Sequence, residues 1–226
     1  MTYQDFTASP QNRQRYWARS HLGWRFIGDV RPNDGHRAVA ALQEQGLVTG
    51  IVTQNVDGLH QAGGARDVIE LHGALRDVVC LRCHETTART HLEARLTEAN
   101  PGWERENLPL KPDGDVDLDD TSGFTVVDCE QCGGLLKPDV VFFGETVPKP
   151  RVDRTFGLVA AADTLLVLGS SLTVMSGFRF VLFAKKQGKT VVIVNQGPTR
   201  GDAHADLKVD APLGRTLTSL SVTMVV

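Results

Sequence analysis

Four cysteines constrain this chain more than any other feature. They stand as Cys80-x2-Cys83 and Cys129-x2-Cys132, two close pairs with residues 84–128 between them. Two residues between cysteines let both sulfurs reach one ion from a tight turn, and two such turns complete a tetrahedral four-thiolate zinc site. The fold must then bring the two pairs together and let the intervening segment loop out as an insert. A closed site of four thiolates has no position open to substrate, so one zinc per chain is expected to stabilise rather than catalyse. Redox dithiols and buried free thiols are the alternatives. A redox site needs a single CxxC, whereas all four cysteines here fall into such pairs.

The expected compartment is one where thiols stay reduced. The N-terminal MTYQDFTASPQNRQRYWARS has no apolar stretch of the signal-peptide kind. No apolar run approaches the roughly 18 residues of a membrane span. The formal net charge of -3 does not suggest a general nucleic-acid surface. A cytoplasmic location is expected, or the mitochondrial matrix if the source is eukaryotic. The 226 residues suffice for one large domain with a small insert.

Around the cysteines, helical and apolar patterns alternate. Residues 1–31 read as an aromatic, helical cap over the core, with Arg15, Trp17 and Arg19 along it. Residues 33–45 read as a helix capped by Asn33 or Asp34 and closed by Gly46. An apolar strand follows over 47–53. A short helix is expected over 89–99, and helices over 152–162 and 178–187. Apolar strands are expected over 164–168 and 191–194, with a shorter one over 206–210. Continuous β-branched runs between helices indicate a parallel sheet covered on both faces. The acidic run Asp113, Asp115, Asp117, Asp119 and Asp120 lacks the glycine and glutamate order of an EF-hand and reads as a solvated loop.

Three of these strands end in small or amide residues: Gln54-Asn55-Val56-Asp57, Gly169-Ser170-Ser171 and Asn195-Gln196-Gly197. At the C-terminal edge of a parallel sheet, such ends suit a ligand bearing ribose and phosphate. His72, in Glu70-Leu71-His72-Gly73, comes after the first of them and before the first cysteine pair. An imidazole there is suited to take a proton from a sugar hydroxyl near neutral pH. His60, in DGLHQAGG, is its rival.

The motifs TQNVDGLH, ELHG, the two cysteine pairs, LKPDVVFFGE, LGSSL and VNQGP resemble those of the sirtuins, in that order and spacing, over about residues 10–215. The runs RQRYWAR and PDGDVDL make the chain most similar to the class II, mitochondrial-type branch. The resemblance implies an α/β fold: a Rossmann-like parallel sheet with helices on both faces and an inserted four-cysteine zinc module. One catalytic domain over 1–226 would comprise a Rossmann-like part, 32–79 and 133–226, and the zinc module, 80–132. It implies an NAD-dependent protein-lysine deacylase that uses NAD as a co-substrate, releases nicotinamide and passes the acyl group to ADP-ribose. In the family the acyl oxygen attacks the nicotinamide ribose, and the histidine matching His72 is the base for a ribose hydroxyl. Residues matching Gln54, Asn55, Val56 and Asp57 lie at the nicotinamide and its ribose. Those matching Gly169, Ser170, Ser171, Asn195, Gln196, Gly197 and Leu213 hold the rest of the dinucleotide. The acyl-lysine peptide adds as a strand between the segments matching Val141, Phe142, Phe143, Gly144 and Glu145 and Met175, Ser176 and Gly177. The partners implied are acyl-lysine proteins or peptides; no nucleic-acid or membrane partner is expected, and the protein is expected to be a monomer.

Sirtuins open with a strand and a Gly-Ala-Gly loop, then a Gly-Ile-Pro-Asp-(Phe/Tyr)-Arg segment, and nothing before Gln11 resembles these. Without them, two strand edges and apolar surface are expected to be exposed, and NAD binding is expected to weaken. An impaired relative acting as a binding module, and a protein ADP-ribosyltransferase, are the alternative functions.

Overall fold

The computed structural model describes residues 1–103 and 120–223. The acidic positions Asp113, Asp115, Asp117 and Asp119 lie outside the described residues; Asp120, the last of that run, accepts a hydrogen bond from the Ser122 amide at 2.9 Å. In chain order the elements are α1 (Tyr3–Ala8), α2 (Pro10–Ile27), α3 (Asp34–Glu44), β1 (Ile51–Thr53), α4 (Leu59–Ala62), β2 (Val68–Glu70), β3 (Gly73–Cys80), β4 (Thr86–Ala88), α5 (Arg89–Ala99), β5 (Leu136–Val140), α6 (Lys149–Ala161), β6 (Thr164–Leu168), α7 (Met175–Lys186), β7 (Thr190–Val194), β8 (Leu207–Val209) and α8 (Leu213–Thr223). They divide into two compact units. The metal unit comprises Met1–Val30, Val56–Gly58 and His72–Thr146; the parallel unit comprises Arg31–Asn55, Leu59–Leu71 and Val147–Val226.

In the metal unit the N-terminal cap is a helical hairpin. Thr2 starts α1 with a reciprocal capping box: its hydroxyl accepts from the Asp5 amide at 3.1 Å, and the Asp5 carboxylate accepts from the Thr2 amide at 3.2 Å. Ser9 caps α2, with Pro10 at its first position. An antiparallel sheet, β4-β3-β5, faces this hairpin's apolar side chains. Pro138 sits in β5, an edge strand, where a missing donor is tolerated. The core gathers Phe6, Trp17, Leu22, Val78, Leu92, Leu96, Phe124 and Leu136. Polar groups inside it are specifically partnered. Trp17 Nε1 donates to the Leu136 carbonyl at 3.2 Å. Asn100 donates to the carbonyls of Leu96 and Thr125 and accepts from the Thr125 amide. Arg89 is 1% exposed. Its guanidinium lies over the rings of Trp17 and Trp24 and pairs with Glu93. The other Glu93 oxygen is 2.6 Å from His21 Nδ1. Burial pushes the Glu93 carboxyl up, but the His21 hydrogen bond and the Arg89 charge outweigh it and hold it below its usual value.

In the parallel unit all strand pairing is parallel. One sheet is β1-β2, with Ile51 opposite Val68; the other is β6-β7-β8, with Leu166 opposite Val192 and Ile193 opposite Lys208. β7 is the buried centre: Val191 and Ile193 are fully covered. α3 begins where expected, with Asn33 accepting from the His36 amide, and Gly46 takes a positive φ just past its end. It packs with α8, so Ala38, Val39, Ile51, Ala65 and Leu217 form one cluster. Phe156 of α6 stacks edge-on against Phe180 and Phe183 of α7. Among the described residues β1 pairs only with β2 and β6 only with β7, so each presents an open edge. Three sequence expectations shift. The helix expected over 152–162 spans Lys149–Ala161. The strand expected over 47–53 is regular only over Ile51–Thr53. α7 opens at Met175, ahead of the expected 178; Val174 makes no side-chain cap, so no capping residue marks that start in the sequence.

Candidate active site and zinc centre

The cysteine pairs form two turns with the same construction. The His84 amide donates to the Cys80 carbonyl, and the Gly133 amide to the Cys129 carbonyl, at 3.0 and 2.8 Å. The Cys80 amide donates to the Glu85 carbonyl and the Cys129 amide to the Gly134 carbonyl, both at 2.9 Å. The residue four past each first cysteine, His84 or Gly133, has a positive φ. This shared geometry turns both sulfurs of each pair inward. Cys80 and Cys132 Sγ are 3.5 Å apart and Cys83 and Cys129 Sγ 3.7 Å apart, and all four lie within 4.8 Å of one another. Bonds of about 2.3 Å to a tetrahedral zinc place sulfurs roughly 3.8 Å apart, so the set is positioned for zinc. Gly134 leaves room for it, since a Cβ there would lie 2.8 Å from Cys80 Sγ and 3.1 Å from Cys132 Sγ. Burial pushes the Cys80 thiol up, but the Cys83 and Arg82 amides and the neighbouring thiols bring it down to about 6.

In the parallel unit the strand ends converge. Ser170 Oγ donates to Gln54 Oε1 at 3.2 Å. A Cβ on Gly177 would lie 2.7 Å from the same oxygen. Gln54, Ser170 and the first turn of α7 are therefore in contact. Gly169, at φ +59, has room only for a hydrogen, because a Cβ would meet Leu213 Cδ1 at 2.4 Å. Ser171 and Thr173 share a hydroxyl hydrogen bond of 2.9 Å. The turn after β7 is braced on both sides. Asn195 Nδ2 donates to the carbonyls of Gln196 and Gly197, and the Gly197 amide donates to Asp210 Oδ1 at 3.1 Å. Exposed Asn55 donates its amide to Thr53 Oγ1. Met175, 47% exposed, and Ser176 lie in the helical first turn of α7. The sequence reading missed Asp210 and Thr173; only proximity in the fold reveals them.

In the metal unit, the Val56 carbonyl accepts from the Leu75 amide at 2.9 Å, and Asp57 is exposed next to Gly58 at φ +71. His72 is half-buried, between buried Leu71 and Gly73. Its carbonyl accepts from the Val141 amide at 2.8 Å, so the expected base and the first residue of the expected peptide-binding segment are joined by backbone. Phe142 packs edge-on against Phe6 and Tyr16. Phe143, 73% exposed, accepts a hydrogen bond at its carbonyl from the Tyr3 amide at 2.9 Å. His60 is placed differently: it lies on α4 in the parallel unit, its ring 4.8 Å from that of His36.

The Sir2 family model matches residues 1–176. The chain belongs to the Sir2 family of sirtuins. It is 58% identical over 223 residues to NAD-dependent protein deacetylase 1 of Streptomyces coelicolor (strain ATCC BAA-471 / A3(2) / M145), covering 98% of this chain and 75% of that protein. It is 50% identical to NAD-dependent protein deacetylase 1 of Mycobacterium avium (strain 104), covering 98% and 80% respectively. A solved Sir2 with a p53 peptide and NAD+ is 28% identical at a TM-score of 0.75, over 99% of this chain and 81% of that one.

This sirtuin thus carries two sets of groups. The parallel unit offers hydroxyls, amides and glycine-lined turns, with no bulky side chain at Gly169 or Gly177. The metal unit offers an imidazole bonded through backbone to the segment that carries exposed Phe143. Among the described residues no helix is long and apolar enough to cross a membrane.

Proposed function

We propose that this sirtuin removes acyl groups from protein lysines in an NAD-dependent reaction. The observation that carries the reading is the backbone bond between His72 and Val141, which ties a half-buried imidazole to a segment with an exposed Phe143. The deacetylase names of its relatives support it. When bound, NAD supplies the ADP-ribose that takes the acyl group and the nicotinamide that leaves. Gln54, Asn55, Val56 and Asp57 orient the nicotinamide and its ribose. Gly169, Ser170, Ser171, Asn195, Gln196, Gly197 and Leu213 hold the remainder through backbone N–H groups and small side chains. An imidazole nitrogen of His72 takes the proton of a ribose hydroxyl. The acyl-lysine segment pairs with Val141–Glu145, and Met175, Ser176 and Gly177 give its other contacts. The organisation is one catalytic domain in which 80–132 is the zinc module, acting as a cytoplasmic monomer without nucleic acid.

The test is nicotinamide release with an acetyl-lysine peptide, with product masses read in parallel. His72→Ala should lower the rate roughly 10²-fold or more with NAD affinity little changed, and His60→Ala should do less. The reverse order moves the proton transfer to His60. ADP-ribosylated protein in place of deacylated peptide would replace the deacylase reading with ADP-ribosyl transfer.

A further inference from the structure

Lys137 is out of place for a lysine. It lies in β5 with its side chain 4% exposed. Buried ammonium groups persist only when paired and hydrogen-bonded. Here Nζ donates to the Pro138 carbonyl at 3.0 Å and the Val140 carbonyl at 2.5 Å, and lies 3.1 Å from Glu145 Oε2. It also sits 4.6 Å from the centre of the Phe142 ring. The same Glu145 oxygen accepts the Phe142 amide at 2.6 Å, while the Glu145 amide donates to the Phe142 carbonyl at 3.0 Å. Residues 142–145 are therefore closed into a turn by a carboxylate that a buried ammonium neutralises. Phe143 is left projecting from it.

We propose that Lys137 and Glu145 form a positioning clamp for the peptide-binding segment. Lys137 is a positioning residue that acts through Glu145 and the Val140 carbonyl. The Glu145 carboxylate faces inward, fixes the backbone of Phe142 and does not read charge on the peptide. The clamp rests on the deacylase reading above, because it gives that segment its fixed shape before substrate arrives. Preorganisation lowers the ordering cost of adding a strand.

Lys137→Met, Glu145→Gln and the double variant test it, each with zinc content and circular dichroism confirming the fold. Peptide affinity is measured by fluorescence anisotropy with three acetyl-lysine peptides whose flanking residues are neutral, basic or acidic. Phe142 amide protection is followed by hydrogen exchange. Each single variant should weaken all three peptides alike, by roughly tenfold, as expected for losing a charge-assisted hydrogen bond. The double variant should be no worse than Lys137→Met, since both act on one clamp. Peptide KM should rise with kcat and the KM for NAD held, and Phe142 exchange should quicken. Unchanged peptide affinity or unchanged Phe142 exchange in Glu145→Gln overturns the clamp, and that variant carries the test if Lys137→Met fails to fold. Selective loss of the basic-flanked peptide in Glu145→Gln also overturns it and makes Glu145 a charge reader. Failure of the wild-type chain to bind any acetyl-lysine peptide instead sinks the deacylase reading itself.

Discussion

In the parallel unit, β7 lies between β6 and β8 with Val191, Ile193 and Val194 buried, and its register runs unbroken from Thr164 opposite Thr190 to Leu168 opposite Val194. In the metal unit, β3 holds the corresponding central place, yet its register with β5 shifts between Gly73 and Val78. Individual polar contacts carry what continuous pairing does not: the Trp17 indole on the Leu136 carbonyl, Asn100 on Thr125, and Arg89 between two indoles and Glu93. A sheet of β-branched residues spreads its stability over many equivalent contacts. A small unit organised around sulfur and buried charge concentrates it in a few, so single changes should hurt the two units very differently.

Removing the metal should have the largest effect. Structural zinc contributes on the order of 10–16 kcal/mol in small zinc domains, comparable with the roughly 5–15 kcal/mol that stabilises a whole domain. Cys80→Ser, or a strong chelator, should strip hydrogen-exchange protection from β3, α5 and β5 while β6, β7 and β8 keep theirs. Simultaneous loss in both units would erase the contrast. Next comes Arg89→Ala. It leaves the half-buried Glu93 carboxylate beside His21 without its guanidinium, and breaking a buried pair costs up to about 3–5 kcal/mol; urea unfolding followed through the tryptophans measures it. Ile193→Val at the centre of β7 removes one methylene from a tolerant core and should cost only about 1 kcal/mol in the same assay.

The smallest expected effect is a pH dependence in the parallel unit. Thr199, through its hydroxyl and its amide, and then Lys208 lower the Asp202 carboxyl to about 2. A carboxyl lowered in the folded state binds its proton less readily there than in the unfolded chain. Its contribution is complete above the unfolded value of about 3.9 and fades as pH falls toward 2. Thr199→Val should move the Asp202 titration upward, followed by carboxyl carbon shifts in NMR. An unmoved titration would show that the hydroxyl is not what lowers it.

The same contrast decides what could be read before the fold was known. Helix α5 was expected over 89–99 and spans Arg89–Ala99; α3 follows from its Asn33 cap and Gly46, and β6 from the Thr164–Leu168 run. These signals are local, and so are the two CxxC turns. The strand-end residues Gln54, Ser170, Asn195 and Gly197 were legible because each lies in the turn that closes an apolar run. What stayed hidden depends on partners far along the chain. Arg89 and Lys137 have side chains that ordinarily seek water, and only their distant partners explain their burial. Antiparallel pairing of β3 with β5 spans a long insert that no local pattern marks. The helical first turn at Met175 had no capping side chain to announce it.

The contact between Trp17 and Leu136 joins residues 119 positions apart. A ribosome adding roughly 5–20 residues per second delivers the second partner some 6–24 seconds after the first. For that interval α2 leaves the exit tunnel with Trp17, Ala18 and Leu22, all buried in the finished unit, still facing water. Cys129 and Cys132 also arrive late, so no metal can close the turn any sooner. The nascent chain must therefore carry a helix with an uncovered apolar face until residue 136 is made. That places the hazard of misassociation before Leu136 is made, and makes the helix carrying Trp17 a segment that holdase chaperones should cover.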